Sequence, residues 1–77
     1  MKKHKHEELD VIEIRKNLGL TQEQFSEMFK IPITTLRNWE QGRSTPKNLT
    51  KVLLIALNLF PRQTLELFKL VKNDPRL

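Results

Sequence analysis

Apolar residues recur every three or four positions through most of the chain, and β-branched residues do not alternate with polar ones, so the period is helical and the fold class all-α. Val11, Ile14 and Leu18 fall on one face of a first helix from about Glu8 to Leu18, with Gly19 placed to end it in the left-handed conformation. Thr21 followed by Gln24 makes a capping box, which opens a second helix of about eight residues with Phe25, Met28 and Phe29 inward, stopping near Lys30. A third helix is predicted over roughly Pro32 to Gln41, because proline is favoured in a first turn, where its missing N–H costs nothing; Gly42 closes it. Arg43, Ser44, Thr45 and Pro46 are loop by composition. A fourth helix carries Leu49, Val52, Leu53, Ala56, Leu57 and Phe60, and Pro61 interrupts it. A fifth, from about Pro61 to Lys72, sets Leu65, Phe68 and Val71 on one stripe with Leu67 and Leu70 beside it. The expected organisation is a basic arm over residues 1–7, a single domain over 8–72 and a tail over 73–77.

A chain of 77 residues hides only about 60% of its unfolded surface, so a single small core must suffice or a partner must help. The absence of cysteine excludes a disulfide staple and a Cys-based zinc site. No apolar run approaches the ~18 residues needed to cross a bilayer, and MKKHKHEELD lacks the apolar segment of an export signal. The expected compartment is the cytoplasm. Fourteen Lys and Arg against nine Asp and Glu leave a net charge of +5 and a pI near 9.9, which favours a polyanionic partner through counterion release.

Two short helices separated by a tight connection, within a helical and basic chain, form the outline of a DNA-binding helix-turn-helix. The third helix sharpens it. At about 100° per residue, Leu36 and Trp39 share one arc, while Ile33, Thr34, Arg37, Asn38 and Gln41 occupy the other and are expected to be free. Those types suit a major groove: Arg can make two parallel hydrogen bonds to guanine, Asn can do so to adenine, and Ile can pack on a thymine methyl. Thr34 can reach a base or a phosphate. The competing reading is an ordinary solvated helix face.

The stretch IRKNLGLTQEQFSEMFKIPITTLRNWEQGRSTP resembles the Xre-type, Cro/lambda-repressor-like helix-turn-helix domain, closely over Ile14 to Pro46 and loosely beyond it. The resemblance rests on LGLTQEQF at the start of the second helix, the spacing from Gln22 to Trp39 and the closing WEQG. It implies a five-helix fold that binds an operator in double-stranded DNA, usually as a dimer. By position, it also implies that Gln22 contacts phosphate and braces the third helix, and that Ile33, Thr34, Arg37 and Asn38 face bases. Gln41, Arg43, Lys47 and Thr50 fall where the family approaches the phosphates, to position rather than specify. Arg15 and Glu40 match a pair that ties the first helix to the end of the third, and Leu36 and Trp39 anchor the latter to the bundle. Two positions depart from the family. Lys30 stands where glycine is common, in a turn that favours positive φ, so the turn is expected to be reshaped; Pro32 replaces a Ser-like cap.

Leu57, Leu59, Phe60, Leu67, Leu70 and Val71 are spread around the last two helices, more apolar surface than one small core uses. A homodimer is expected through Leu57, Phe60, Leu67, Leu70 and Val71. TLRNWEQGRSTP followed by a leucine-rich helix is most similar to HigA-like antitoxins and related small regulators, which repress their own operon and bind a toxin protein. The alternatives to a stand-alone repressor are therefore an autorepressing antitoxin and a protein-interaction module on the same fold. An enzyme has little support, since the acids are dispersed and the hydroxyls lack a partnered base. No cofactor or metal is expected: His4 and His6 are the only histidines, two ligands being too few for a good site. Lys2, Lys3 and Lys5 could add loose phosphate contacts.

Overall fold

The computed structural model describes residues 9–76. These form five helices, α1 (Val11–Asn17), α2 (Gln22–Phe29), α3 (Ile33–Glu40), α4 (Asn48–Leu59) and α5 (Pro61–Asn73), and no strand occurs among the described residues. α2 packs on α3, α1 touches both α3 and α4, and α5 lies along α4. This is the all-α, five-helix arrangement the apolar period predicts.

Each helix boundary has a local chemical cause. The Asp10 side chain accepts the Glu13 N–H at 3.1 Å, so α1 begins at Val11 rather than near Glu8, which lies outside the described residues along with the arm over 1–7. Both halves of the capping box form at α2: the Gln24 N–H donates to Thr21 Oγ1 at 3.0 Å, and the Thr21 N–H donates to Gln24 Oε1 at 2.9 Å. Pro32 occupies the capping position of α3 itself, one residue earlier than a first-turn proline, and offers no side-chain cap. α5 runs through Asn73, one residue into the expected tail, and the ion pair of Asp74 with Arg76 follows it at 2.8 Å.

The two glycines end α1 and α3 in the same way. Gly19 and Gly42 take φ of 72° and 76°. The next N–H turns back across the last turn in each, from Leu20 to the Arg15 carbonyl at 3.3 Å and from Arg43 to the Asn38 carbonyl at 2.8 Å. Lys30 does this for α2 at φ 58° without being glycine. The turn is therefore not reshaped by the lysine, which accepts the left-handed conformation. It is held there because the Ile31 N–H donates to the Ser26 carbonyl at 3.0 Å while the Ser26 hydroxyl donates to the Ile31 carbonyl. The buried Ile31 side chain pins the same turn from inside.

Val11, Ile14, Phe25, Phe29, Ile31, Leu36, Leu54 and Leu57 form the core, with Leu18, Met28, Leu53, Leu65 and Phe68 packed at its margin. Phe29 joins α2 to α5 through an edge-on contact with Phe68 at 4.8 Å between ring centres. The expected apolar face of α4 is rotated in the fold. Leu54 is inside although the pattern did not single it out, whereas Leu49 and Val52 are 83% and 60% exposed. α4 is apolar around most of its circumference, so spacing alone does not define which side packs. At the α4–α5 corner the buried Thr64 hydroxyl lies 2.6 Å from the Phe60 carbonyl and 3.1 Å from that of Ala56, satisfying the end of α4 from the first turn of α5.

A left-handed lysine stores backbone strain on the order of 1 kcal/mol, partly offset by the extra unfolded-state freedom of glycine. Lys30→Gly is expected to raise unfolding stability by about 0.5 kcal/mol. Urea titration with an unchanged denaturant slope checks this, and a loss of stability would count against it.

Candidate nucleic-acid interface

α3 is clamped to the bundle by its inner face. Leu36 is fully buried, and Trp39 is only partly so: it packs on the core but also lines, with Leu9, Val11 and Pro46, an open groove of about 390 Å³. On the other side Thr34, Arg37 and Gln41 are exposed, with Ile33 and Asn38 half-buried. The chain leaves α3 through exposed Arg43 and reaches exposed Lys47, which precedes α4, and half-buried Thr50 in its first turn.

The end of α3 is held by a buried acid. Arg15 Nε donates to Glu40 Oε2 at 2.6 Å and its Nη2 to Glu40 Oε1 at 3.1 Å, while Nη1 donates to the Leu20 carbonyl at 3.0 Å. The guanidinium thus joins α1, the α1–α2 turn and α3. The Gln22 Nε2 group also donates to Glu40 Oε1, at 2.9 Å, which brings in α2. The Glu40 side chain is only 5% exposed. Burial, the largest single influence, pushes its carboxyl upward, but hydrogen bonds from Arg15 and Gln22 and the Arg15 charge outweigh it, so its pKa lies below the ordinary value. The hydrogen bond to Glu40 raises that of Arg15.

The outer arc is not wholly free. Arg37 Nε donates to Gln22 Oε1 at 3.3 Å, and its Nη2 lies 3.8 Å from Glu23 Oε2. Gln22 therefore takes Glu40 with its amide nitrogen and Arg37 with its amide oxygen. Sequence reasoning missed Glu23, although an acid in the first turn of the helix preceding a helix that carries arginine was a usable signal.

The start of α4 has no side-chain cap, and Asn48 takes φ 58°, a left-handed value that asparagine tolerates better than most residues. The first N–H groups of α4 lack intrahelical acceptors and carry the positive end of the helix dipole at its Lys47 end.

Among the expected interface residues of α4 and α5, Phe60, Leu67, Leu70 and Val71 are 59%, 59%, 70% and 46% exposed. Leu57 is corrected: at 1% exposure it belongs to the core, because it faces inward beside Leu54 and has no surface left for a partner. Val52, Ile55 and Leu59 add exposed apolar surface on α4. His4, His6, Lys2, Lys3 and Lys5 lie outside the described residues. Among the described residues, no group of three or more His, Cys, Asp or Glu is placed to hold a metal, and no helix is long and apolar enough to cross a membrane.

A family model described as a helix-turn-helix domain matches residues 11–74, which takes in all five helices. No curated protein and no solved structure matches the chain.

Glu40 titrates lower folded than unfolded, so its stabilisation is fully present above the unfolded glutamate pKa of about 4.3 and is lost as pH falls through the folded value. The raised pKa of Arg15 leaves its contribution intact throughout that range. Arg15→Ala is expected to cost about 3 kcal/mol at neutral pH, since it strands a buried carboxylate. The variant should also lose less stability than the parent between pH 7 and pH 3, because burial then acts on Glu40 without its main counterweight. Urea unfolding across that range measures both, and equal acid sensitivity in the two proteins would contradict the assignment.

Proposed function

The chain belongs to the helix-turn-helix family, and from that premise we propose that it is a sequence-specific regulator that binds double-stranded DNA with α3 in the major groove. The observation that carries this reading is the division of α3. Its inner face and final residue are fastened to α1 and α2, while on the rest of its surface Thr34 and Arg37 are exposed and Ile33 and Asn38 half-buried. Arg37 and Asn38 bring the planar donor and acceptor groups suited to guanine and adenine, and Ile33 and Thr34 offer a thymine methyl or a nearby phosphate their short side chains.

The surrounding groups suit a sugar-phosphate backbone. Lys47 supplies charge at the uncapped start of α4 and Arg43 supplies it in the loop before, while Thr50 adds a hydroxyl and the helix N–H groups add donors. Gln41 caps the C-terminal end of α3, two residues before Arg43. Gln22 acts mainly as a brace, since Glu40 and Arg37 engage both ends of its amide, and one amide hydrogen remains for a phosphate.

We assign the exposed apolar side chains Phe60, Leu67, Leu70 and Val71 to a homodimer, which would set two copies of α3 about 34 Å apart on a two-fold operator. The sequence similarity to HigA-like antitoxins offers the same face a toxin protein instead. A second copy is preferred because it supplies the symmetry that an eight-residue recognition helix needs to read an adequate site. We assign it a repressor's role, acting by occupancy of the operator, and the cytoplasm is the compartment in which such a protein would meet DNA.

Selection of bound duplexes from a random pool tests the base assignments. Arg37→Ala and Asn38→Ala should each relax preference at a base pair, by about 1–3 kcal/mol of discrimination. Retention of the parent preference in both variants would refute them. Lys47→Ala should weaken all duplexes alike and reduce the salt slope by about one. For the dimer, sedimentation should give twice the monomer mass for the parent and a monomer for Leu70→Glu; a parent that stays monomeric at high concentration removes the dimer.

A further inference from the structure

We infer that Glu23 is a positioning residue that, with Gln22, presents Arg37 to guanine, an inference resting on the DNA-binding reading above. Consecutive residues in the first turn of α2 meet one edge of the guanidinium across the turn: Gln22 Oε1 is 3.3 Å from Nε, and Glu23 Oε2 is 3.8 Å from Nη2. A guanidinium carries five N–H donors in a planar fork. Engaging the Nε edge leaves the two terminal nitrogens along the far edge, the arrangement that matches the O6 and N7 acceptors of guanine. An arginine whose one edge rests against a second helix has a preferred direction of approach.

The Glu23 carboxylate makes this a matter of selectivity rather than affinity. Its side chain is 74% exposed and that of Arg37 is 47% exposed, so water screens the pair in the free protein and Arg37 is not locked. When a duplex excludes water from this face, the same pair strengthens and disfavours alternative poses in which Arg37 turns to a phosphate. Glu23 also repels the phosphate backbone. Its two influences therefore have separable signatures: repulsion acts on every duplex, and positioning acts only at the base pair Arg37 reads.

The test compares the parent, Glu23→Gln and Glu23→Ala at fixed salt on three duplexes: the selected site, that site changed only at the guanine lost in the Arg37→Ala selection, and an unrelated sequence. Both variants are expected to bind the unrelated duplex several-fold more tightly, while preference for guanine at the one position falls about fivefold or more and preferences elsewhere in the site are kept. In an Arg37→Ala background, Glu23→Gln should leave the remaining preferences unchanged. Melting curves exclude unfolding as the cause, and a structural role would not alter one base preference alone. If all three duplexes gain affinity equally, Glu23 is merely repulsive and the inference is overturned while DNA binding stands. A parent that binds no duplex at low salt overturns the DNA-binding reading and this inference with it.

Discussion

The carboxylate of Glu40 is the interaction on which the rest of the structure depends. A glutamate whose side chain is 5% exposed is tolerated only with its charge paired and its oxygens hydrogen-bonded, and Arg15 and Gln22 provide both. The same contacts are architectural. Arg15 belongs to α1, Gln22 to α2 and Glu40 to α3, so satisfying one buried charge fixes the mutual placement of three helices. Each of those helices has only seven or eight residues, too few to be stable alone, so tertiary ties must supply what propagation along the helix does not. For α3 the need is greatest, because Pro32 gives its start no side-chain cap.

How the chain enters α3 is decided by two irregularities that contacts of Ser26 and Ile31 offset. Lys30 carries left-handed strain, and Pro32 removes both a donor and a cap. Between them, proline restricts the preceding Ile31 toward extended backbone, and the paired bonds between Ser26 and Ile31 hold the turn from the α2 side. The Ile31 side chain is buried, so a shift in this turn would withdraw it from the core. The angle of α3 is thereby fixed at its start by packing and at its end by charge.

The sequence patterns that were legible share a local cause. The capping box at Thr21, the left-handed glycines and five helical periods each depend on residues within one or two turns of each other. Asp10 was equally local and was overlooked, although an acid three residues before Glu13 is a capping signal of the same kind. What could not be extracted was the inward side of α4. Its apolar residues surround the helix, and only the positions of α1 and α5 decide that Leu54 and Leu57 go inside while Val52, Ile55 and Leu59 stay out. Assigning Leu57 to a partner surface was the direct consequence. At the candidate site the pairing of Arg15 with Glu40 was accessible only through family resemblance, because nothing local joins residues 25 apart in sequence. The engagement of Arg37 by α2 was missed for a related reason: a helical wheel shows which side of α3 a residue occupies, not what the neighbouring helix offers it.

Taken along its length, the polar chain from Arg15 through Glu40, Gln22 and Arg37 to Glu23 runs from the interior to the surface. Its charges alternate about a neutral amide, so the network sums to zero and the excess positive charge of the chain lies elsewhere, with Arg43, Lys47 and Lys51 prominent near the start of α4. Outward from Glu40 exposure rises, from 5% there to 47% at Arg37 and 74% at Glu23, and electrostatic coupling weakens in the same order. The inner end is therefore stiff and structural, and the outer end remains adjustable. Gln22 is where the two regimes join, since one amide group serves a buried acid through its nitrogen and an exposed arginine through its oxygen. Changes at Glu40 and at Arg37 consequently share a partner and are not energetically independent. In this small domain one side chain touches both the acid that ties three helices together and the outward-facing arginine.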